Sequence, residues 1–309
     1  IVVVMMINNL FPVLALIVLG YLLKNRGLTS DAFLNVSDRL VYYIFFPVLL
    51  FWKIGGTSAQ TEIQWAYCQA AVCALGVLYI VSTLYIKLFR VGDFQAGTFS
   101  QSCYRFNSYI GMAVVMNALG ETGVRYFGIL IAIMIPLINV LAVSTLIWFS
   151  GKQIGTNERM RLTIRALILN PLIVACVAGM FYAKYMEGFP VFLENTFRLA
   201  ASVTLPLALL SIGGALTLNT LRSYLSLSLI AAGFKLILFP LTGYFFLTRF
   251  GVNGLQYQVS MLFFSMPTAT SIFVLSSQLN SDTDLASATI VLSTSLSFFS
   301  LSLVLLFIQ

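Results

Sequence analysis

Continuous apolar runs of about twenty residues recur along the whole chain, and no other feature constrains the fold as tightly. One of them, SLSLIAAGFKLILFPLTGYFFL, covers residues 226–247. At 1.5 Å rise per residue, about 20 such residues cross the hydrocarbon core of a bilayer. A membrane β-barrel would instead alternate apolar and polar residues over segments of about ten. A signal peptide could account for residues 1–23 but not for the later runs. Composition agrees: 60% of the 309 residues are hydrophobic and 9% are charged, against about 25% charged in soluble domains. A soluble fold of this length must turn much of its area to water and could not hide so much apolar surface. The chain reads as an all-α polytopic membrane protein.

Ten spans are expected, near residues 2–23, 40–56, 63–89, 97–118, 124–150, 163–184, 196–216, 223–247, 256–278 and 285–308. The connections are short; the longest, near 150–162, leaves no room for a soluble domain. Basic residues divide unevenly between the loops. Lys24, Arg26, Arg39, Lys87, Arg90, Lys152, Arg159, Arg161, Arg165 and Arg222 fall on one side; Lys53, Arg125, Lys184, Arg198 and Arg249 fall on the other. The richer side belongs in the cytoplasm. Both termini then lie outside, periplasmic if the membrane is a bacterial inner membrane. The net charge of +7 follows from these loops and implies no nucleic-acid partner.

Enzymatic chemistry finds no foothold. Histidine is absent, and Cys68, Cys73, Cys103 and Cys176 form no CxxC pair, which argues against a metal or haem site. No Walker sequence is present. The acidic residues fall at loops: Asp31, Asp38, Asp93, Glu158, Asp282 and Asp284 on the cytoplasmic side, and Glu62, Glu121, Glu187 and Glu194 outside. A membrane enzyme would need a buried acid, base or nucleophile.

The two halves share an offset of 159 positions. Pro12 matches Pro171, Gly20 matches Gly179, Pro47 matches Pro206 and Gly55 matches Gly214. Residues 1–150 and 151–309 therefore read as two five-helix repeats. An odd number of spans per repeat inserts the second in the opposite sense, which is an inverted repeat.

Spans 4 and 9 are interrupted. Span 4 contains RFNSYIG and span 9 contains MPTATSIFVL; the offset puts Ser108 on Pro267 and Asn107 on Met266. Pro267 removes a backbone donor and clashes one turn back; Thr268, Thr270 and Ser271 can bond the freed groups, as Asn107 and Ser108 can in span 4. Broken helices at membrane depth present unpaired N–H and C=O groups and hold substrate in many transporters. Two cations are also deep. Lys235 lies at the middle of span 8 and Arg105 lies two residues before Asn107. A buried cation needs a partner or a wet cavity, and an anionic substrate is one such partner. Arg105 snorkelling to the cytoplasm, and Lys235 bonding backbone carbonyls or sitting neutral, are the structural alternatives. The candidate substrate residues are Arg105, Asn107, Ser108, Lys235, Pro267, Thr268 and Thr270.

This pattern, with RFNSYIG in span 4, Lys235 and Pro240 in span 8 and MPTATSIFVL in span 9, resembles the auxin efflux carrier family, nearest its bacterial permease branch with malonate transporters. The resemblance covers essentially the whole chain. It implies a fold like that of the bile acid–sodium symporters, broken helices 4 and 9 crossing within a transport domain of spans 3–5 and 8–10, and a scaffold of spans 1, 2, 6 and 7. It also implies a small mono- or dicarboxylate as the substrate, alternating access as the mechanism, and a homodimer through the scaffold. The chain departs from the plant members in carrying Ser108 where their crossover commonly has proline, and in lacking their long cytoplasmic loop. No cofactor is implied. Proton coupling, sodium coupling and potential-driven uniport all stay open. A membrane-embedded small-molecule sensor without transport is the competing expectation.

Overall fold

The computed structural model describes residues 2–56, 65–149, 161, 164, 169–186, 188–215 and 221–307, by main chain alone at 2–9, 221, 222, 274 and 278. The loop near 150–162 and most of its basic residues lie outside the described set. Among the described residues, every regular element apart from one isolated β-bridge is helical, as a lipid environment demands of a chain that must satisfy its own backbone.

In chain order the helices are α1 (Val2–Asn25), α2 (Asp31–Leu40), α3 (Phe46–Gly55), α4 (Trp65–Leu88), α5 (Asp93–Tyr104), α6 (Ser108–Phe149), α7 (Pro171–Tyr185), α8 (Val191–Ala215), α9 (Leu221–Gly233), α10 (Phe239–Arg249), α11 (Gly254–Ser265), α12 (Ser271–Gln278) and α13 (Thr283–Phe307). Six stretches among the described residues are long and apolar enough to cross a membrane: Asp31–Gly55, Trp65–Leu88, Ser108–Phe149, Val191–Ala215, Ser223–Arg249 and Thr283–Phe307. Leu10–Asn25 and Pro171–Tyr185 are shorter apolar helices. The chain is thus a polytopic membrane protein. Helix α6 runs through the expected boundary between spans 4 and 5 and turns at Gly120 (φ 66°, ψ −161°), backbone that only glycine adopts without strain.

The ends of these helices follow from their sequences. Ser30 Oγ accepts the N–H of Phe33 at 3.2 Å to open α2, and Asn170 Oδ1 accepts from Leu172 (3.0 Å) and Ile173 (3.4 Å) ahead of Pro171 in α7; both are N-cap chemistry. Two helices continue through wide π turns, Val41–Phe45 between α2 and α3 and Phe234–Leu238 between α9 and α10. Each precedes a Phe-Pro pair, Phe46-Pro47 and Phe239-Pro240. Proline cannot donate to the carbonyl one turn back and its ring crowds that carbonyl. The chain widens instead: Phe46 N–H reaches Val41 O, and Phe239 N–H reaches Phe234 O. The Leu236 carbonyl that Pro240 leaves free takes the hydroxyl of Ser300 at 3.2 Å.

The chain divides into two compact units. The first comprises Ile1–Gln64, Met112–Ile133 and Ile168–Ala215. In it α1 lies along α8 and α3 along α7. A Cβ on Gly20 would fall on the Leu210 carbonyl oxygen, and one on Gly179 would come within 3.2 Å of the Phe51 carbonyl oxygen. Leu210 and Phe51 are themselves 159 positions apart, so the same glycine-to-backbone contact occurs twice at the offset read from the sequence. The second unit comprises Trp65–Gly111, Met134–Leu167 and Leu216–Gln309. In it α13 packs on α9, α5, α11 and α12, and α4 packs on α5 and α10.

Candidate functional site at the crossing of two broken helices

The second unit holds both helix interruptions. Helix α5 stops at Tyr104, and its cap Arg105 is extended (φ −72°, ψ 131°). Helix α11 stops at Ser265, and its cap Met266 is likewise extended (φ −65°, ψ 147°). The two extended pieces run antiparallel. Phe106 and Thr268 form the β-bridge, and the N–H of Asn107 donates to the Pro267 carbonyl at 2.9 Å. Arg105 and Met266 are 161 positions apart, and so are the starts of α5 and α11. At that spacing Asn107 corresponds to Thr268, two positions away from the match expected at an offset of 159.

At the first break Asn107 is 2% exposed. Its Oδ1 accepts the N–H groups of Tyr109 and Ile110, both at 3.1 Å, and so caps the helix that begins at Ser108. With the oxygen committed, the amide nitrogen Nδ2 is a buried donor with no acceptor among the described residues. Ser108 is half-buried beside it. At the second break Pro267 and Thr268 are buried and Thr270 is half-buried just before α12. Thr268 has its polar groups engaged: its hydroxyl donates to the Ser102 carbonyl in the last turn of α5 (3.1 Å), and its N–H donates to Ser293 Oγ on α13 (3.2 Å).

The two deep cations sit on oxygens. Lys235 lies in the π turn and is fully buried. Its ammonium donates to the Phe264 carbonyl in the last turn of α11 at 2.9 Å and lies 4.5 Å from the centre of the Phe239 ring. A cation at a helix C-terminus satisfies an orphan carbonyl and opposes the negative end of the dipole. Arg105 is half-buried; its guanidinium reaches Asn139 Oδ1 at 2.7 Å and Gln101 Oε1 at 3.3 Å.

Sequence reading missed the polar belt that ties α5 to the chain after the second break. Thr98 Oγ1 lies 2.7 Å from Ser276 Oγ and 2.9 Å from Ser281 Oγ, and Gln101 Nε2 donates to Ser276 Oγ at 2.9 Å. The signal is present in hindsight: Thr98, Gln101, Ser102 and Arg105 fall at helical spacing on one face of α5. Asp282, expected in a loop, is 2% exposed. Its Oδ1 accepts from Asp284 (3.1 Å) and Leu285 (2.9 Å) to cap α13, and Oδ2 accepts from Gln95 at 3.4 Å.

A polytopic helical protein whose two broken helices meet at a buried, donor-bearing crossing has the makings of a solute carrier. The chain belongs to the membrane transport protein family, whose model matches residues 5–305. Its relatives match over nearly their whole length. An uncharacterized transporter of Methanocaldococcus jannaschii is 24% identical over 297 residues, 94% of this chain and 95% of the relative. A Rhizobium meliloti protein named "Putative malonate transporter" is 24% identical over 299 residues, 93% of this chain and 90% of the relative. The uncharacterized transporter YfdV of Escherichia coli is 24% identical over 298 residues, 93% and 92%. The chain is a multi-pass membrane transporter of the auxin-efflux-carrier type.

Proposed function

We propose that this protein is a secondary transporter or uniporter of small organic anions, mono- or dicarboxylates, and that the substrate binds at the crossing of the two broken helices. The observation that carries this reading is the buried Asn107 Nδ2–H without an acceptor. A buried donor left bare costs about 1–3 kcal/mol, and a carboxylate oxygen supplies the missing partner. The N-terminal ends of α6 and α12 add positive potential at the same place. Arg105 brings a full charge to the first break, Lys235 holds the end of α11 at the second, and Thr268 fixes the crossing. Ser108 and Thr270 are the hydroxyls free to join the substrate shell. The name of the Rhizobium relative points to the same substrate class.

The architecture in this reading is ten spans in two inverted repeats, N-out and C-out. The doubled glycine contact at Gly20 and Gly179 supports the duplication. Alternating access moves spans 3–5 and 8–10 against a scaffold of spans 1, 2, 6 and 7; the gathering of α1, α2, α3, α7 and α8 into one unit supports the scaffold, although Met112–Ile133, from spans 4 and 5, falls in that unit as well. The scaffold is also the candidate homodimer face.

Two experiments test the reading. Proteoliposomes holding the protein should take up malonate with saturable, trans-stimulated kinetics and should not take up neutral malonamide; binding without flux would make the protein a receptor. A reporter fused after Gln309 should read as external, and a cytoplasmic signal would overturn the ten-span topology.

A further inference from the structure

The first unit contains a cavity of about 390 Å³ whose wall is mostly apolar, from Val13, Leu16, Leu49 and Leu209 among others, with Lys53, Arg198, Trp52, Asn117 and Ser202 as its polar members. That volume falls in the range of small-molecule sites, and an apolar wall with few placed polar groups is their usual make-up. Lys53 is the distinctive residue. It lies in the last turn of α3 with 9% exposure, and its ammonium stands 3.8 Å from the centre of the Trp52 ring. The indole N–H is itself tethered to Glu194 Oε1 at 3.2 Å. Lys53 is ion-paired with Glu121, whose side chain is 75% exposed and follows the turn at Gly120. A buried cation on a cavity wall thus borrows its counter-charge from a carboxylate that water can reclaim.

We infer that this cavity is a carboxylate vestibule, separate from the helix crossing, in which an arriving anion takes Glu121's place on Lys53. This deepens the proposed function and rests on it for the identity of the ligand. The ammonium has three N–H donors, so exchange of one carboxylate for another leaves Lys53 charged and satisfied throughout. Arg198, exposed at the rim, would draw anions in. The apolar floor favours a short aliphatic diacid over a bulkier polar one. Glu121 then acts as a competitor that takes Lys53 back when the anion leaves the cavity.

Trp52 makes the occupancy visible. With Trp65→Phe and Trp148→Phe as background, Trp52 is the one indole left in the chain of three. Malonate should change its emission saturably, and malonamide should not. Lys53→Gln should weaken malonate binding about tenfold or more, as loss of a hydrogen bond to a charged ligand does, and Arg198→Gln should weaken it about threefold. Glu121→Gln, on an exposed side chain that folding tolerates, should tighten it about threefold. Asn107→Ala should leave this signal intact while stopping flux. Malonate flux without any change in Trp52 emission, or a weaker site in Glu121→Gln, overturns the vestibule and spares the transport reading. A saturable Trp52 signal without flux in the unmutated protein keeps the vestibule and overturns transport; a protein showing neither overturns both.

Discussion

The two breaks that cross in the second unit solve one problem by different means. Each must satisfy the backbone where a helix stops inside the membrane. At Asn107 a side-chain oxygen caps the next helix and a buried N–H is left over. At Thr268 the hydroxyl and the N–H are both consumed, one by Ser102 on the opposite helix and one by Ser293. Lys235 adds a third bond to that side by holding the end of α11. The first break keeps a buried spare donor, whereas at the second both polar groups of Thr268 are committed. A binding site needs the first kind of chemistry, and a rigid frame needs the second. On the proposed reading, the asymmetry puts affinity at Asn107 and stability at Thr268 and Lys235.

Asn107→Asp is the variant with the largest expected effect. The carboxylate still caps α6, so thermal stability should hold, but the donor becomes an acceptor facing an anion. Malonate affinity should fall by about 1.5–3 kcal/mol or more, read as a binding isotherm beside a melting curve. A full-affinity Asn107→Asp would end the assignment. Thr268→Val should show the opposite pattern. It keeps the shape but strips the Ser102 carbonyl of its donor, so stability should drop by about 1–3 kcal/mol in a detergent melt, with the affinity of the folded fraction little changed. A strong affinity loss without destabilisation would move Thr268 into the substrate shell. Lys235→Gln should have the smallest effect, about 1–2 kcal/mol of stability from a cation lost at a helix end. It should also bias the protein against malonate relative to malonamide; equal binding of the two by the unmutated protein would show that its charge is not felt at the site.

Much of this was legible in the sequence, for a physical reason: lipid leaves only helices, and a helix that breaks must display polar residues or proline. Asn107 and Pro267 announce both breaks. Their relative register was not legible. Gly55 to Asp93 spans 38 positions and Gly214 to Gly254 spans 40, and the longer stretch contains the wide turn Phe234–Leu238, which takes up one extra residue. The fate of Lys235 was half-visible. Its burial followed from its place in an apolar run, but its partner is a carbonyl exposed by a break 29 residues later. The Lys53–Glu121 pair joins residues 68 positions apart, and Asp282 reads as a loop residue until the fold closes over it as a cap.

The wide turns at Val41–Phe45 and Phe234–Leu238 bear on how this sequence can change length. A π turn is an α-helix that has absorbed one extra residue, and here the bond it forms, Phe239 N–H to Phe234 O, spans five positions. Deleting a single residue from Phe234–Leu238 would return the segment to ordinary pitch. Because the turn already takes one residue more than an α-helical turn, the faces before and after it would keep nearly the phase they have. Within the turn, Lys235 would shift relative to the Phe264 carbonyl it holds. A one-residue deletion should therefore be better tolerated at this point than in either flanking helix, where each residue removed turns the two faces by about 100°.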